Sequence, residues 1–280
     1  MANNPWMTAF VEGAPRIAMD VMGEGPLLVL LHGIGGNRSN WQFQLPAFAG
    51  DFTAAAWDAR GYGLSDDYDS DLDFNDFSHD LARLLDHFGA AKAHLCGLSM
   101  GGRVAQDFYA LYPERVATLV LCDTFAGDDT SDTRSGRSQT IEEFVQSRIQ
   151  PFLDGASPAE VAQGRGGRLM APGASAETRQ LATDATAQLH VESYIKTVRA
   201  SAAFSRVDNL VNIDVPTLLL FGDVDPLTPP SVGEYMQERI AGSQLVILEN
   251  AGHMTNLEQP DAFNNAVLAF LRDHRAAHRA

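Results

Sequence analysis

Leu27-Leu28-Val29-Leu30-Leu31 is an apolar run with no polar position inside it, stopping at His32-Gly33, which predicts a strand buried on both faces. Short runs of the same kind recur at Ala54–Trp57, Ala93–Cys96, Ala117–Leu121, Thr217–Phe221 and Leu245–Leu248. Between them the apolar positions change to helical spacing. Phe77, Leu81, Leu84, Leu85 and Phe88 form one stripe ended by Gly89, and Val104, Phe108 and Leu111 form another ended before Pro113. Val232, Tyr235, Met236 and Ile240 make a third, and Phe263, Val267, Phe270 and Leu271 a fourth that Pro260 opens. This alternation predicts an α/β fold: a mostly parallel, doubly wound sheet with helices on both faces.

The alternation breaks off between about Phe125 and Val211. Polar turns such as Gly127-Asp128-Asp129 and Gly164-Arg165-Gly166-Gly167 separate helical patterns around Ile141–Leu153, Pro158–Met170 and Ala176–Phe204, and no run there reads as a strand. The expectation is a core of residues 1–124 and 212–280, with residues 125–211 inserted as a helical cap. An insertion here would cover the carboxyl edge of the sheet, where open α/β folds bind ligands.

Composition narrows the function classes. A chain of 280 residues with 45% hydrophobic and 20% charged positions has enough apolar surface for one large core, and no linker divides it. No apolar run is long enough to span a bilayer, and Met1-Ala2-Asn3-Asn4-Pro5 is neither basic nor apolar, so a cytoplasmic protein is expected. The net charge of −16 repels nucleic acid and anionic membranes, and neither is an expected partner. Cys96 and Cys122 fall within strand runs and read as buried thiols, not as a disulfide or metal ligands. The loop His32-Gly33-Ile34-Gly35-Gly36 lacks either phosphate-binding glycine spacing, and no cofactor or metal is expected. The oligomeric state is left open.

The candidate chemistry lies at strand ends. Gly97-Leu98-Ser99-Met100-Gly101 falls between an apolar strand run and a helical stripe, where a G-x-S-x-G turn exposes a serine hydroxyl at the sheet edge. A neutral serine needs a base, and the base an orienting acid. His253, in Ala251-Gly252-His253-Met254 just beyond the last strand run, is the only one of eight histidines so placed. His79, His87, His190, His274 and His278 read as solvated, and His94 as a hydrogen-bonded core residue. For the acid, Asp225 is preferred over Asp223, which reads as a turn former, and over Asp123 at the end of the preceding strand. The backbone amides of Ile34 and Met100 are the expected oxyanion donors, Gly35 being the alternative to Ile34, and His32 reads as a loop brace.

Five motifs taken in order resemble the α/β-hydrolase superfamily: His32–Gly36, Asp58-Ala59-Arg60-Gly61-Tyr62-Gly63-Leu64-Ser65, Gly97–Gly102, Gly222-Asp223-Val224-Asp225-Pro226-Leu227-Thr228-Pro229 and Gly252-His253-Met254. The resemblance runs from about residue 10 to 272 and implies the roles already given to Ser99, Asp225, His253, Ile34 and Met100, with Asp58 and Arg60 forming a structural turn. Gly252–Pro260 followed by Ala262-Phe263-Asn264 is similar to the tail of bacterial 3-oxoadipate enol-lactonases and related carboxylesterases. The expected activity is therefore hydrolysis of a small carboxylic ester or lactone through an acyl-enzyme. Carbon–carbon hydrolysis and cofactor-free perhydrolysis are alternatives on the same triad, and a small-molecule receptor with vestigial turnover is an alternative of another class. Met254 stands where the carbon–carbon hydrolases often carry Trp, and a serine nucleophile argues against dehalogenase or epoxide hydrolase chemistry.

Overall fold

A computed structural model describes residues 5–128, 131–134, 140–165 and 168–279. Eight strands form one sheet: β1 (Met7–Val11), β2 (Ile17–Met22), β3 (Leu27–Leu31), β4 (Thr53–Trp57), β5 (Ala93–Leu98), β6 (Val116–Cys122), β7 (Thr217–Gly222) and β8 (Gln244–Leu248). Their order is β1-β2-β4-β3-β5-β6-β7-β8, with β1, β2 and β4 paired antiparallel and every other pairing parallel. The six strands expected from apolar runs are all present. The antiparallel pair β1 and β2 is additional, and its edge member β1 passes from exposed Met7 and Thr8 through partly buried Ala9 and Phe10 to buried Val11.

Every residue of β3, β5, β6 and β7 is buried, which is why their sequences lack polar alternation. Side chains leave a strand on alternate faces, so Val29, Leu31, Leu95, Leu119, Leu121, Leu219 and Phe221 feed one core. That layer is completed by α2 (Asn75–His87), α3 (Met100–Leu111) and α8 (Pro230–Gln237). Leu28, Leu30, Cys96, Val120, Leu218 and Leu220 feed the other, against α1 (Gln44–Phe48) and α10 (Pro260–Asp273). Of the predicted stripes, Leu111 departs from expectation: at 38% exposure it ends α3 at the surface.

Between β6 and β7 the described residues form α4 (Ile141–Leu153), α5 (Pro158–Arg165), α6 (Ala176–Thr186) and α7 (Val191–Ala202), and no strand. The pattern around Ile141–Leu153 coincides with α4. α5 is shorter than the pattern to Met170, and the pattern over Ala176–Phe204 is two helices broken at residues 187–190. A short α9 (Thr255–Glu258) follows the last strand. The chain winds from β3 to β4 on one side of the sheet, then crosses to β5 on the other, so the carboxyl ends of β3 and β5 flank a topological switch point.

Candidate active site

Ser99 is the single residue between β5 and α3, and its backbone sits at φ 53°, ψ −114°. For a residue with a Cβ this conformation costs roughly 1–3 kcal/mol and persists only where neighbours impose it. They do so here: Ser99 N–H donates to the Cys122 carbonyl at 2.8 Å, and the Ser99 carbonyl accepts from Gly102 N at 3.0 Å and Thr124 Oγ1 at 2.7 Å. The two glycines of the motif are needed for space. A Cβ on Gly97 would run into the Gly101 carbonyl, and one on Gly101 into the Leu31 carbonyl of β3. Both obstacles are backbone, which no rotamer change relieves. Gly101→Val is therefore expected to lose roughly 3 kcal/mol of stability or more, read as a lower urea midpoint; an unchanged midpoint would contradict this packing.

The three distant side chains expected to meet are brought together. His253 Nε2 lies 2.9 Å from Ser99 Oγ, and His253 Nδ1 lies 2.7 Å from Asp225 Oδ2. Asp225 is fixed in turn by Thr228 Oγ1, which donates to Oδ2 at 2.5 Å, and by Leu227 N–H, which donates to Oδ1 at 2.7 Å. With a carboxylate on the Nδ1 side, the ring carries its proton there and turns the Nε2 lone pair toward the serine.

Burial opposes charge on the imidazole more than any other single influence. The Asp225 carboxylate, through its charge and hydrogen bond, together with the charge of Asp123, overcomes this and holds the His253 pKa above 6.5, while Arg148 pulls it down. Burial likewise works to raise Asp225, but the His253 charge and the bonds from His253, Thr228 and Leu227 leave it below its ordinary value of 3.8. Each group stabilises the charged form of the other.

The competing acids are placed elsewhere. Asp223 accepts from Ala251 N–H at 3.2 Å and shapes the turn. Asp123, fully buried at φ 44°, accepts from Gly222 N at 3.0 Å through one oxygen and from Thr255 Oγ1 at 2.5 Å through the other. It thus ties the start of the acid loop to the residue two beyond His253, and burial together with the Asp225 charge pushes its carboxyl well above the usual carboxylate range. His32 braces its loop: Nδ1 donates to the Gly33 carbonyl at 2.8 Å and Nε2 accepts from Ala59 N at 3.1 Å, a pattern that requires the neutral ring. Burial, acting against Gly33 and Asp58, lowers its pKa and favours that form. Asp58 accepts from Leu64 N at 2.7 Å, and Arg60 pairs with Asp80 at 2.6 Å, away from Ser99. His94 bonds Thr118 in the core, and His190 pairs with Asp67 at 2.9 Å where solvation alone was expected.

Gly33 lies against the nucleophile, since a Cβ there would stand 3.2 Å from Ser99 Cβ. The two amides expected to face an oxyanion, Ile34 N–H and Met100 N–H, donate to no acceptor among the described residues. A cavity of about 100 Å³ opens beside Ser99 and His253. Its floor includes Gly33–Gly36, Leu98 and Leu227, and its roof Leu169, Met170, Ala182, Leu189, Tyr194 and Arg148 from the segment between β6 and β7. Arg148 and Tyr194 were not singled out by the sequence. Nor was Glu258, whose carboxylate accepts from Ala171 N at 2.7 Å, Gly252 N at 3.0 Å and Met254 N at 3.0 Å. The same roof strand of chain receives His253 N–H at the Leu169 carbonyl, 2.7 Å away. Among the described residues no group of three or more His, Cys, Asp or Glu side chains is arranged to hold a metal ion.

Residues 26–260 match the family described as alpha/beta hydrolase fold. The chain is 30% identical over 250 residues to 3-oxoadipate enol-lactonase 2 of Acinetobacter baylyi, covering 88% of this chain and 89% of that one. Among solved structures, a thermophilic esterase from Thermogutta terrifontis superposes with a TM-score of 0.84 at 28% identity, over 96% of this chain and 99% of the other. The enol-lactonase from Burkholderia xenovorans LB400 does so with a TM-score of 0.82 at 25% identity, over 96% and 100%.

Proposed function

The chain belongs to the alpha/beta hydrolase fold family, and from that premise we propose that it is a serine hydrolase of a compact carboxylic ester or lactone, working through an acyl-enzyme. The observation that carries the reading is the relay Asp225–His253–Ser99, with contacts of 2.7 and 2.9 Å. Relatives named as an enol-lactonase and an esterase support the ester or lactone class. In this reading residues 1–124 and 212–280 are the catalytic core and residues 125–211 a cap that roofs the cavity.

Ser99 Oγ attacks the carbonyl carbon as His253 Nε2 takes its proton. Negative charge then gathers on the carbonyl oxygen and is met by the Ile34 and Met100 amides, whose direction is set before substrate arrives. As the carbon–oxygen bond breaks, His253 returns the proton to the leaving alkoxide; in a lactone that alcohol stays tethered to the acyl group. Water, deprotonated by His253, then attacks the acyl-enzyme and frees the acid and Ser99. Asp225 keeps the ring oriented and stabilises its cation throughout.

Acid quenching during turnover of p-nitrophenyl butyrate, followed by mass spectrometry, should find the butyryl group on the Ser99 peptide. Steady hydrolysis with no acyl group on Ser99 would remove this mechanism. The base works only when neutral and its pKa is raised, so the acid limb of the kcat/KM profile is expected above pH 6.5. A limb below that value would mean that Asp225 does not act on His253 as described.

A further inference from the structure

Three consecutive residues at the end of β6 reach all three loops of the relay. The Cys122 carbonyl accepts from Ser99 N–H at 2.8 Å, and Thr124 Oγ1 donates to the Ser99 carbonyl at 2.7 Å. Between them Asp123 holds the other two loops. Its Oδ1 accepts from Gly222 N at 3.0 Å, and its Oδ2 from the amide and the hydroxyl of Thr255 at 3.3 and 2.5 Å. Gly222 stands three residues before Asp225, and Thr255 two residues after His253. A brace alone does not need a titratable group, and a fully buried carboxylate carries a large desolvation cost. Asparagine would avoid that cost but matches the donors less well. Each oxygen of Asp123 faces a backbone N–H, and an amide would have to turn its NH₂ toward one of them. Two charges bear on this carboxyl: that of Asp225 opposes its ionisation and that of His253 favours it. The adjacent Cys122 thiol stays protonated, since burial pushes it up. Asp123 is therefore most readily ionised while the imidazole holds a proton, the state His253 passes through in each half of the reaction.

We propose that Asp123 is a positioning residue of the relay: it fixes the span between the acid loop and the base loop, and its carboxylate stands behind Asp225 in stabilising the protonated imidazole. It does not take the part of Asp225, which is the carboxylate bonded to His253 Nδ1. It acts on the ring through its charge and through the loops that carry the pair. An interaction that strengthens as the imidazole gains its proton lowers the barrier without tightening the hold on substrate. Its signature is thus in kcat, with KM little changed. This assignment rests on the hydrolase reading above and adds a further side chain to its machinery.

The test follows p-nitrophenyl butyrate hydrolysis by Asp123→Asn across pH. kcat should fall by about tenfold to a hundredfold, the worth of a charged hydrogen bond, with KM changed by less than about twofold. Removing the negative charge lowers the His253 pKa, while the charges of Asp225 and Arg148 on the ring stay as they were. The acid limb of kcat/KM should therefore move to lower pH. A brace alone would slow the reaction and leave the limb in place, and a bystander would change neither. Should Asp123→Asn fold poorly, Thr255→Val gives a second reading, because it removes one hydroxyl donor and keeps the side-chain shape. Losing that donor disfavours the ionised carboxyl, so kcat and the limb should shift in the same directions by less, and Thr255→Ser should restore both. An unmoved limb in Asp123→Asn, or in Thr255→Val where the first variant does not fold, overturns the role of Asp123 alone, provided the native enzyme shows Ser99-dependent hydrolysis. Absence of hydrolysis of every ester overturns the hydrolase reading and this inference with it.

Discussion

Ser99→Ala is expected to lower kcat for p-nitrophenyl butyrate by about 10⁶-fold, the scale on which removal of a triad nucleophile acts, while the protein should keep its far-UV circular dichroism and its melting temperature to within a few degrees. The two halves of this expectation have separate causes. In the proposed mechanism loss of Oγ removes the atom that would form the acyl bond, and no other hydroxyl in the relay is placed to replace it: Thr228 Oγ1 is committed to Asp225 at 2.5 Å. Stability is spared because alanine keeps the Cβ, and with it the strain at φ 53°, while the backbone bonds to Cys122 and Gly102 do not involve the side chain. The variant loses only the bond to His253. Hydrolysis at the parental rate would show that the hydroxyl takes no part in the chemistry.

Asp225→Asn is expected to lower kcat by about 10⁴-fold with little change in folding. Asparagine is nearly isosteric, so the result depends on which way its amide turns. Oδ1 of Asp225 receives the Leu227 N–H, a backbone donor that cannot be reversed. Oδ2 receives the Thr228 hydroxyl and the His253 ring, and both can change role, the hydroxyl by rotating and the imidazole by changing tautomer. The amide NH₂ therefore takes the Oδ2 position and donates to His253 Nδ1. That places the ring proton on Nε2, facing Ser99, where an acceptor is required. In the double variant with Ser99→Ala the losses should not add, because the acid acts only through the nucleophile. A loss smaller than about tenfold in Asp225→Asn would mean that the carboxylate does not set the tautomer.

How much could be read from the chain follows from how tightly each position is constrained. β3, β5, β6 and β7 are buried on both faces, a condition only uninterrupted apolar runs meet. β1 and β2 escaped because an antiparallel edge pair is less constrained: Met7 is 66% exposed, and Asp20 sits within β2, paired with Arg38 at 3.2 Å. The meeting of Ser99, Asp225 and His253 was legible because a G-x-S-x-G turn sets a serine at one strand end and later strand ends carry an acid and then a histidine in the order such a relay needs. Arg148 was not, since helical spacing says which face of α4 turns inward but not what that face meets. The break between α6 and α7 has no Gly or Pro to announce it; the chain turns through Gln188-Leu189-His190, with Leu189 buried and His190 held by Asp67.

The hydrogen bonds that join the roof to the base loop have a consequence for timing. Leu169 holds the amide of His253 itself, and Glu258 clasps Ala171 together with Gly252 and Met254. Should residues 169–171 swing outward, the imidazole would lose its backbone tether and drift from the hydroxyl it must deprotonate. On the proposed mechanism such an enzyme would be armed only while shut: a molecule too bulky to be enclosed would prop the roof open and thereby switch off the proton transfer needed to cleave it. Size discrimination would then register in turnover as well as in affinity.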